Sequence, residues 1–290
     1  MSETSIIISD NLSGMPDTVE ILFTLLRGSS ICGSIALDLA PVTWVHPYGA
    51  ISLLGICRYI RQLTRKPVRL TGLQTQIHAY LRRIDFFKYD PETVYTTDPF
   101  NPLCELGRSS SSSNVLELFP IRTSEDVYAV AARARRILAY WFDKNSSYNI
   151  DKIVVLLAEA CSNIVDHSGD SGIVIVQKYD HKQYVEIKLA ISDLGQGIRR
   201  SLIAVHGEIS NTSTGYIEQA LSGLSARTGQ RGGQGLGAIQ RIATENGGSL
   251  YIRSEMGSVL AQATGMIAQD NLCFFPGTQI AITFRSLPAF

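Results

Sequence analysis

The sequence lacks the features that define several protein classes. Its five cysteines are scattered, and no two of them form a CxxC pair. This pattern excludes a zinc ribbon or a disulfide framework and predicts reduced, mostly buried thiols. Lysine plus arginine equals aspartate plus glutamate at 26 residues each, so no basic excess indicates nucleic acid binding.

Long apolar runs are also absent. The longest runs, such as residues 153–157, are far shorter than the roughly 20 residues that span a bilayer, so we expect no membrane association. The first ten residues, MSETSIIISD, lack the basic start and apolar stretch of a signal peptide. Together with the cysteine pattern, these features predict a cytoplasmic protein.

Apolar residues are numerous enough for two folded domains. The chain has 290 residues, of which 45% are hydrophobic and 18% charged, and this composition argues against disorder. A serine tract at 109–113 has nothing to bury, and turn-forming residues at 95–102 precede it. We therefore predict a first domain at residues 1–92, a linker at 93–114 and a second domain at 115–290.

The two halves differ in their predicted secondary structure. In the first half, strands at 5–9, 34–39 and 67–70 alternate with helices at 50–63 and 74–84, which indicates an α/β domain. In the second half, helices at 125–141, 150–165 and 235–246 are combined with strands at 173–176, 185–191, 249–253 and 279–284. This order predicts a two-layer α+β sandwich with helices on one face of the sheet.

Three polar elements of the second half are candidates for chemistry. Glu159 and Asn163 lie four residues apart on a predicted helix, and His167 follows four residues later, so the three side chains share one face. Asp193 ends the alternating strand and is followed by Gly195 and Gly197. Each element alone is also compatible with a solvated helix face or a tight turn.

The third element is a glycine-rich segment, RGGQGLG at 231–237, that runs directly into a helix. Such a segment exposes backbone N–H groups at the helix N-terminus, where the helix dipole favours phosphate. A long polar connection at 198–232, with a short helix predicted at 217–224, precedes it, and connections of this length are usually functional lids or disordered segments. A flexible glycine loop is the alternative interpretation.

No GxxxxGK[ST] motif occurs, and no lysine follows Lys188. A P-loop lysine therefore cannot neutralise bound phosphates. We expect their charge to be met by Mg²⁺, by helix N–H groups and by Arg227 or Arg231.

In this order, the three elements resemble the GHKL ATPases, the family of histidine-kinase catalytic domains, type II topoisomerases, heat-shock chaperones and anti-sigma kinases. The resemblance covers about residues 120–286 and implies a Bergerat-type ATP-binding fold. It implies that Asn163 helps to bind Mg²⁺, that Asp193 reads the adenine amino group and that Thr278 supports that contact. Glu159 matches the residue that activates the attacking water or hydroxyl in many members. The implied nucleotide-binding residues are Asn163, His167, Asp193, Gly195, Gly197, Ile198, Gly233, Gln234, Gly235, Leu236, Gly237 and Thr278.

A second resemblance concerns the first half. Residues 35–39, the segment 42–50 and the following helix look like a STAS domain, the fold of anti-anti-sigma factors. In phosphorylatable members the corresponding turn carries a serine acceptor, whereas here the sequence is His46-Pro47-Tyr48-Gly49 and Tyr48 stands at the acceptor position. This departure favours docking over phosphorylation. An unrelated small α/β domain is the alternative.

These observations predict an ATP-binding regulatory protein that acts as an ATP-gated signalling switch. The alternative is an ATPase or a protein serine/threonine kinase that uses Glu159 as general base. We expect ATP and Mg²⁺ as cofactors and a protein partner or a second copy of the chain as partner, without nucleic acid.

Overall fold

The chain divides into two compact units, residues 1–112 and 113–290. The structure, a computed structural model, describes residues 3–9, 11–13, 19–24, 31–100, 115–142, 150–226, 235–245 and 247–286. Within these ranges, no helix is both long enough and apolar enough to cross a membrane.

The first unit contains a four-stranded parallel sheet with strand order β1-β2-β3-β4. Its strands are β1 (Thr4–Ile7), β2 (Ile35–Asp38), β3 (Val68–Thr71) and β4 (Val94–Thr96). Its helices are α1 (Pro47–Thr64), α2 (Thr75–Arg83) and the short α3 (Phe86–Tyr89), and residues 19–24 are also helical. Parallel strands joined by helical connections make this unit α/β.

Two details of the first unit correct the sequence-based predictions. The predicted linker begins at residue 93, whereas Val94–Thr96 forms β4 and pairs with β3. Strand β4 has three residues, too few for a recognisable alternation of apolar and polar side chains.

The helix predicted at 50–63 begins three residues earlier, at Pro47 of α1. A proline is suited to the first helical position because it loses no backbone hydrogen bond there. Tyr48 is only 3% exposed in that first turn, so its side chain is not presented for docking.

The second unit contains a seven-stranded sheet in which every neighbouring pair is antiparallel. The strand order is β10-β9-β8-β11-β7-β6-β5. The strands are β5 (Val115–Ile121), β6 (Gly172–Asp180), β7 (Val185–Asp193), β8 (Ser249–Glu255), β9 (Gly257–Gln262), β10 (Gly265–Gln269) and β11 (Phe275–Ser286).

Helices cover one face of this sheet. They are α4 (Ser124–Trp141), α5 (Ile150–Asn163), α6 (Gly197–His206), α7 (Ser213–Leu221) and α8 (Gly235–Glu245), and a π-helical turn (Ile164–Ser168) extends α5. One apolar cluster joins α4, α5, α7 and α8 to alternate residues of the strands, such as Ile187, Leu189 and Ile191 of β7. The predicted mixed α/β fold is thus confirmed.

The connection after β7 contains a helix close to the one predicted at 217–224, at Ser213–Leu221, and a second helix before it. Its described part, residues 197–226, forms α6 and α7, which bury Leu202 and Tyr216 against each other. The Asp270 carboxylate accepts two hydrogen bonds from Thr214, one from the backbone N–H at 3.2 Å and one from the hydroxyl. These bonds fix the start of α7 to the residue that follows β10.

Helix α4 begins with a capping box, and this feature generates a stability prediction. The Thr123 hydroxyl accepts a bond from the Asp126 N–H at 3.4 Å, and the Asp126 carboxylate accepts one from the Thr123 N–H at 3.0 Å. We expect Thr123→Ala to lower the free energy of unfolding of the second unit by about 1 kcal/mol. Urea unfolding followed by Trp141 fluorescence measures this free energy, in a Trp44→Phe background so that Trp141 is the one tryptophan observed. Thr123→Ser is the control, and equal destabilisation by both variants would contradict the cap.

Candidate functional site

Helix α5 positions the first polar side chains of the site. Glu159 and Asn163 lie one turn apart on the face that lines a cleft, and His167 lines the same cleft from the π-helical turn. Ser168, the last residue of the π-helical turn, lines the cleft as well. Gly169 then adopts φ +72° and ends the turn.

The cleft lies between α5, the end of β7 and helices α6 to α8. Its volume is about 830 Å³, a figure that includes open solvent at its mouth. Concave sites lined by apolar residues and a few polar groups are typical of small-molecule binding. Its apolar lining includes Ala160, Ile164, Ile191, Leu202, Leu236 and Ile280.

Asp193 lies at the floor of the cleft and is only 5% exposed. Its Oδ1 accepts hydrogen bonds from the hydroxyl of Ser168 and from the backbone N–H of Gly195, both at 2.8 Å. The backbone of Thr278 provides a further hydrogen bond to the carboxyl group. Three donors from three elements therefore hold one buried carboxyl group.

Thr278 reaches Asp193 because strand β11 is irregular at this point. The register of β11 against β8 shifts between Phe275 and Thr278, which is a β-bulge. Gly277 occupies the bulge with φ +79°, and a Cβ atom there would lie 2.2 Å from the Asp193 carbonyl oxygen. Only glycine fits both the conformation and the space.

Ser254 of β8 joins the bulge to helix α6. Its Oγ donates to the Gly277 carbonyl at 3.1 Å, accepts from the Ile198 N–H at 3.0 Å and lies 3.4 Å from the Thr278 hydroxyl. These contacts fix the first turn of α6 to the first residues of β11, beside Asp193.

Three of the predicted glycines are also sites of close packing. A Cβ on Gly195 would lie 2.0 Å from the Ser168 carbonyl oxygen, so the Asp193–Gln196 turn packs directly on the π-turn. A Cβ on Gly235 would lie 2.7 Å from Glu159 Oε1, and one on Gly237 would lie 2.6 Å from the Leu221 carbonyl oxygen. The N-terminus of α8 thus lies against α5 and α7.

The outer wall of the cleft is the segment that follows α7, with Leu224, Ser225 and Ala226 in its lining. The imidazole Nε2 of His206, at the end of α6, lies 2.8 Å from the Ser225 carbonyl oxygen. Because a carbonyl only accepts, this nitrogen carries the proton. The contact fixes the wall to α6.

The structure brings most of the predicted site residues to this one cleft. Lining it are Glu159, Asn163, His167, Asp193, Gly197, Ile198, Gly235, Leu236 and Thr278. Gly195 and Gly237 act by packing and are not in the lining. Gly233, Gln234, Arg227 and Arg231 lie outside the described residues.

Ser168 and Ser254 are site residues that the sequence analysis missed. Ser168 follows His167, but helical periodicity of 3.6 directs it away from the Asn163 face, and only the π-turn brings it to Asp193. Ser254 lies on a strand that gives no sign of a functional role. Neither position carries a motif that could have identified it.

Burial determines the electrostatics of the site. It raises the pKa of the Asp193 carboxyl group to about 6, against the lowering effect of hydrogen bonds from Gly195, Ser168 and Thr278; the charge of Asp170 raises it further. The group is therefore ionised at neutral pH and can accept a hydrogen bond from a ligand. Chemically, the cleft combines a buried acceptor at its floor with a helix N-terminus at α8.

Comparison with protein families agrees with this geometry. Residues 148–285 match the model of the family described as histidine kinase-, DNA gyrase B-, and HSP90-like ATPase. No curated protein matches the chain. A domain of this ATP-binding family thus lies at residues 148–285, which include the whole lining of the cleft.

The raised pKa of Asp193 generates a prediction about stability. The folded state binds a proton more tightly than the unfolded state, so between pH 3.8 and about 6 the free energy of unfolding falls as pH rises. A shift of this size corresponds to about 3 kcal/mol. We therefore expect the unfolding free energy of the wild type, minus that of Asp193→Asn, to fall by this order between pH 4 and pH 7.

Urea unfolding followed through Trp141 at a series of pH values measures this difference. Asp151→Asn is the control, because Asp151 forms an exposed ion pair with Arg135 on the helix surface. Its difference from the wild type should change by less than about 1 kcal/mol over the same range. A difference for Asp193→Asn that is constant with pH would contradict the assigned environment.

Proposed function

We propose that the second unit binds Mg²⁺–ATP in this cleft and acts as an ATP-gated regulatory switch of the anti-sigma and histidine-kinase-like type. One observation carries the proposal: the buried Asp193 carboxylate at the cleft floor and the N-terminus of α8 lie at the same cleft. The first can accept a bond from an amino group, and the second can donate N–H groups to phosphate.

The adenine end of the proposed site is the floor. Asp193 would accept a hydrogen bond from the exocyclic amino group, and Thr278 would support that contact. Ile191 and Ile280 line the cleft on the neighbouring strands β7 and β11 and offer an apolar surface to a purine ring. Gly197 and Ile198 would border the base where α6 begins.

The phosphate end is formed by α5 and α8. Gly235, Leu236 and Gly237 begin α8, so their backbone N–H groups are those that a helix leaves without internal partners. His167, which lines the cleft from the π-turn, would approach the phosphates, as would Gly233 and Gln234.

The donor set of the cleft fits Mg²⁺. Asn163 and Glu159 offer an amide oxygen and carboxylate oxygens one turn apart, and oxygen atoms are the ligands this ion prefers. Among the described residues no cluster of three or more acidic, histidine or cysteine side chains could hold a metal ion alone. Mg²⁺ bound through one protein ligand and the nucleotide phosphates is consistent with that set, and the bound ion would neutralise phosphate charge.

The packing around the cleft supports a switch. A nucleotide that spans the cleft would contact α5, the start of α6, the wall at 224–226 and the start of α8. Because these segments also hold one another through Ser254, His206 and Gly237, ligand binding would change the stability of the whole helical layer. A partner that binds this layer would then respond to nucleotide.

We further propose that the first unit is STAS-like and serves as the protein-interaction module. Its α/β architecture and the helix that starts directly after the His46 turn support this proposal. Modules of these two kinds act together in regulatory systems, which favours a switch. The burial of Tyr48 argues that any docking surface uses other residues of the unit.

Glu159 supports a second candidate function, an ATPase or a protein serine/threonine kinase. Its carboxylate lies at the cleft, close to Gly235 at the start of α8. A carboxylate beside a phosphate site can accept the proton of an attacking water or serine hydroxyl. The switch needs only binding, whereas this function needs turnover.

Calorimetric titration of ATP and ADP, with Mg²⁺, tests the proposed site. We expect the wild type to bind both, and Asp193→Asn to lose about tenfold to a hundredfold in affinity, because an amide N–H₂ replaces a charged acceptor. Asp151→Asn should bind as the wild type does. No binding by the wild type, or equal binding by Asp193→Asn, would contradict the nucleotide site.

Phosphate release and phosphotransfer assays distinguish the two candidate functions. If the domain is an enzyme, we expect Glu159→Gln to lower turnover by about 10²- to 10⁴-fold while the affinity for ATP changes little, because only the base is removed. A wild type that binds ATP without turnover would eliminate the enzymatic function. A measured rate that is unchanged in Glu159→Gln would contradict the role of Glu159.

A further inference from the structure

Strand β10 is one of the two edge strands of the seven-stranded sheet. All five of its residues are exposed, with Ile267 64% and Met266 53% exposed. Residues 257–269 contain neither a charged residue nor a proline. Edge strands of natural proteins normally carry charges, prolines or bulges that prevent pairing with another chain. Within the described part of the chain, β10 pairs only with β9.

The hairpin geometry determines which backbone groups point outward. Gln262 and Gly265 are paired and flank a two-residue turn. Such a flanking pair exchanges both backbone hydrogen bonds, and bonded pairs then alternate along the ladder. The backbone groups of Gly265, Ile267 and Gln269 therefore point toward β9. The N–H and C=O groups of Met266 and Ala268 point away from the sheet.

This arrangement is self-complementary. If two copies of β10 pair in antiparallel fashion about a twofold axis at Ile267, Met266 of each copy lies opposite Ala268 of the other. Both pairs then exchange two hydrogen bonds, so that all outward groups of both strands are used. No other symmetric register uses all of them.

The side chains also suit a second copy. At the twofold axis Ile267 meets its own symmetry mate in a non-hydrogen-bonded pair, where side chains are closest. Met266 lies on the helix side of the sheet, where its sulfur is 3.4 Å from Gln240 Nε2 of α8, so Ile267 lies on the opposite side. Since the hairpin has no charge, pairing brings no like charges together.

We propose that two copies of this chain associate through β10, in antiparallel register centred on Ile267. The second copy is the occupant that the backbone register and the lack of charge favour. The contact is small compared with the roughly 1,200–2,000 Å² of a standard interface, so the dimer is reversible. It does not depend on nucleotide binding.

Sedimentation velocity over a range of protein concentrations tests the association. We expect a concentration-dependent dimer for the wild type and at least about tenfold weaker association for Ile267→Lys, because two ammonium groups then meet at the axis. Val205→Lys is the matched control, since Val205 is an exposed residue (46%) on α6 and does not belong to the β9–β10 hairpin. A wild type that is monomeric at every concentration, or equal effects of the two variants, would overturn the proposal.

Cysteine cross-linking tests the register itself, in a background with Cys32→Ser and Cys104→Ser. Residues of a non-hydrogen-bonded pair have Cα atoms about 4.5 Å apart, within disulfide range, so we expect Ile267→Cys to form a disulfide-linked dimer on oxidation. Gln269→Cys lies on the same strand face but about 14 Å from its symmetry mate, four residues out of register, and should not cross-link. Equal cross-linking of both variants, or cross-linking of Gln269→Cys alone, would overturn the register.

Discussion

The burial of one carboxyl group constrains the whole arrangement of the second unit. Taking the Asp193 side chain out of water is unfavourable unless several donors surround it, and here they come from the π-turn after α5, the turn after β7 and the bulge of β11. The first two lie at the ends of α5 and β7, and the third interrupts β11. Their convergence on a single side chain indicates that they are parts of one site.

The glycines follow from the same constraint. Gly195 lets the turn after Asp193 pack on the Ser168 carbonyl, and Gly277 lets the bulge pack on the Asp193 carbonyl. A methyl group at either position would separate the elements that supply the donors. Close backbone packing at the floor of the cleft is therefore needed to hold the Asp193 carboxylate among its donors.

The regular parts of this architecture could be predicted from the sequence, and the irregular parts could not. The apolar period of α5 and the alternation of β7 place Glu159, Asn163 and Asp193 on these elements, and the resemblance to the GHKL family singles them out. Ser168 escapes such analysis because a π-turn obeys neither period. Strand β10 escapes it because all its residues are exposed, so no alternation of apolar and polar residues develops. Strand β4 escapes it because three residues are too few to show an alternation.

Over its described residues, the connection between β7 and α8 is a packed part of the helical layer. Leu202, Tyr216 and Ala220 give it a small core of its own, and Asp270 fixes the start of α7. The cleft wall at 224–226 is thus attached to ordered helices at both α6 and α7. A ligand at this wall would act on a packed layer, where small displacements are transmitted because the core resists deformation. This rigidity is what a switch requires, since a wall with no packing could absorb ligand binding without changing any distant surface.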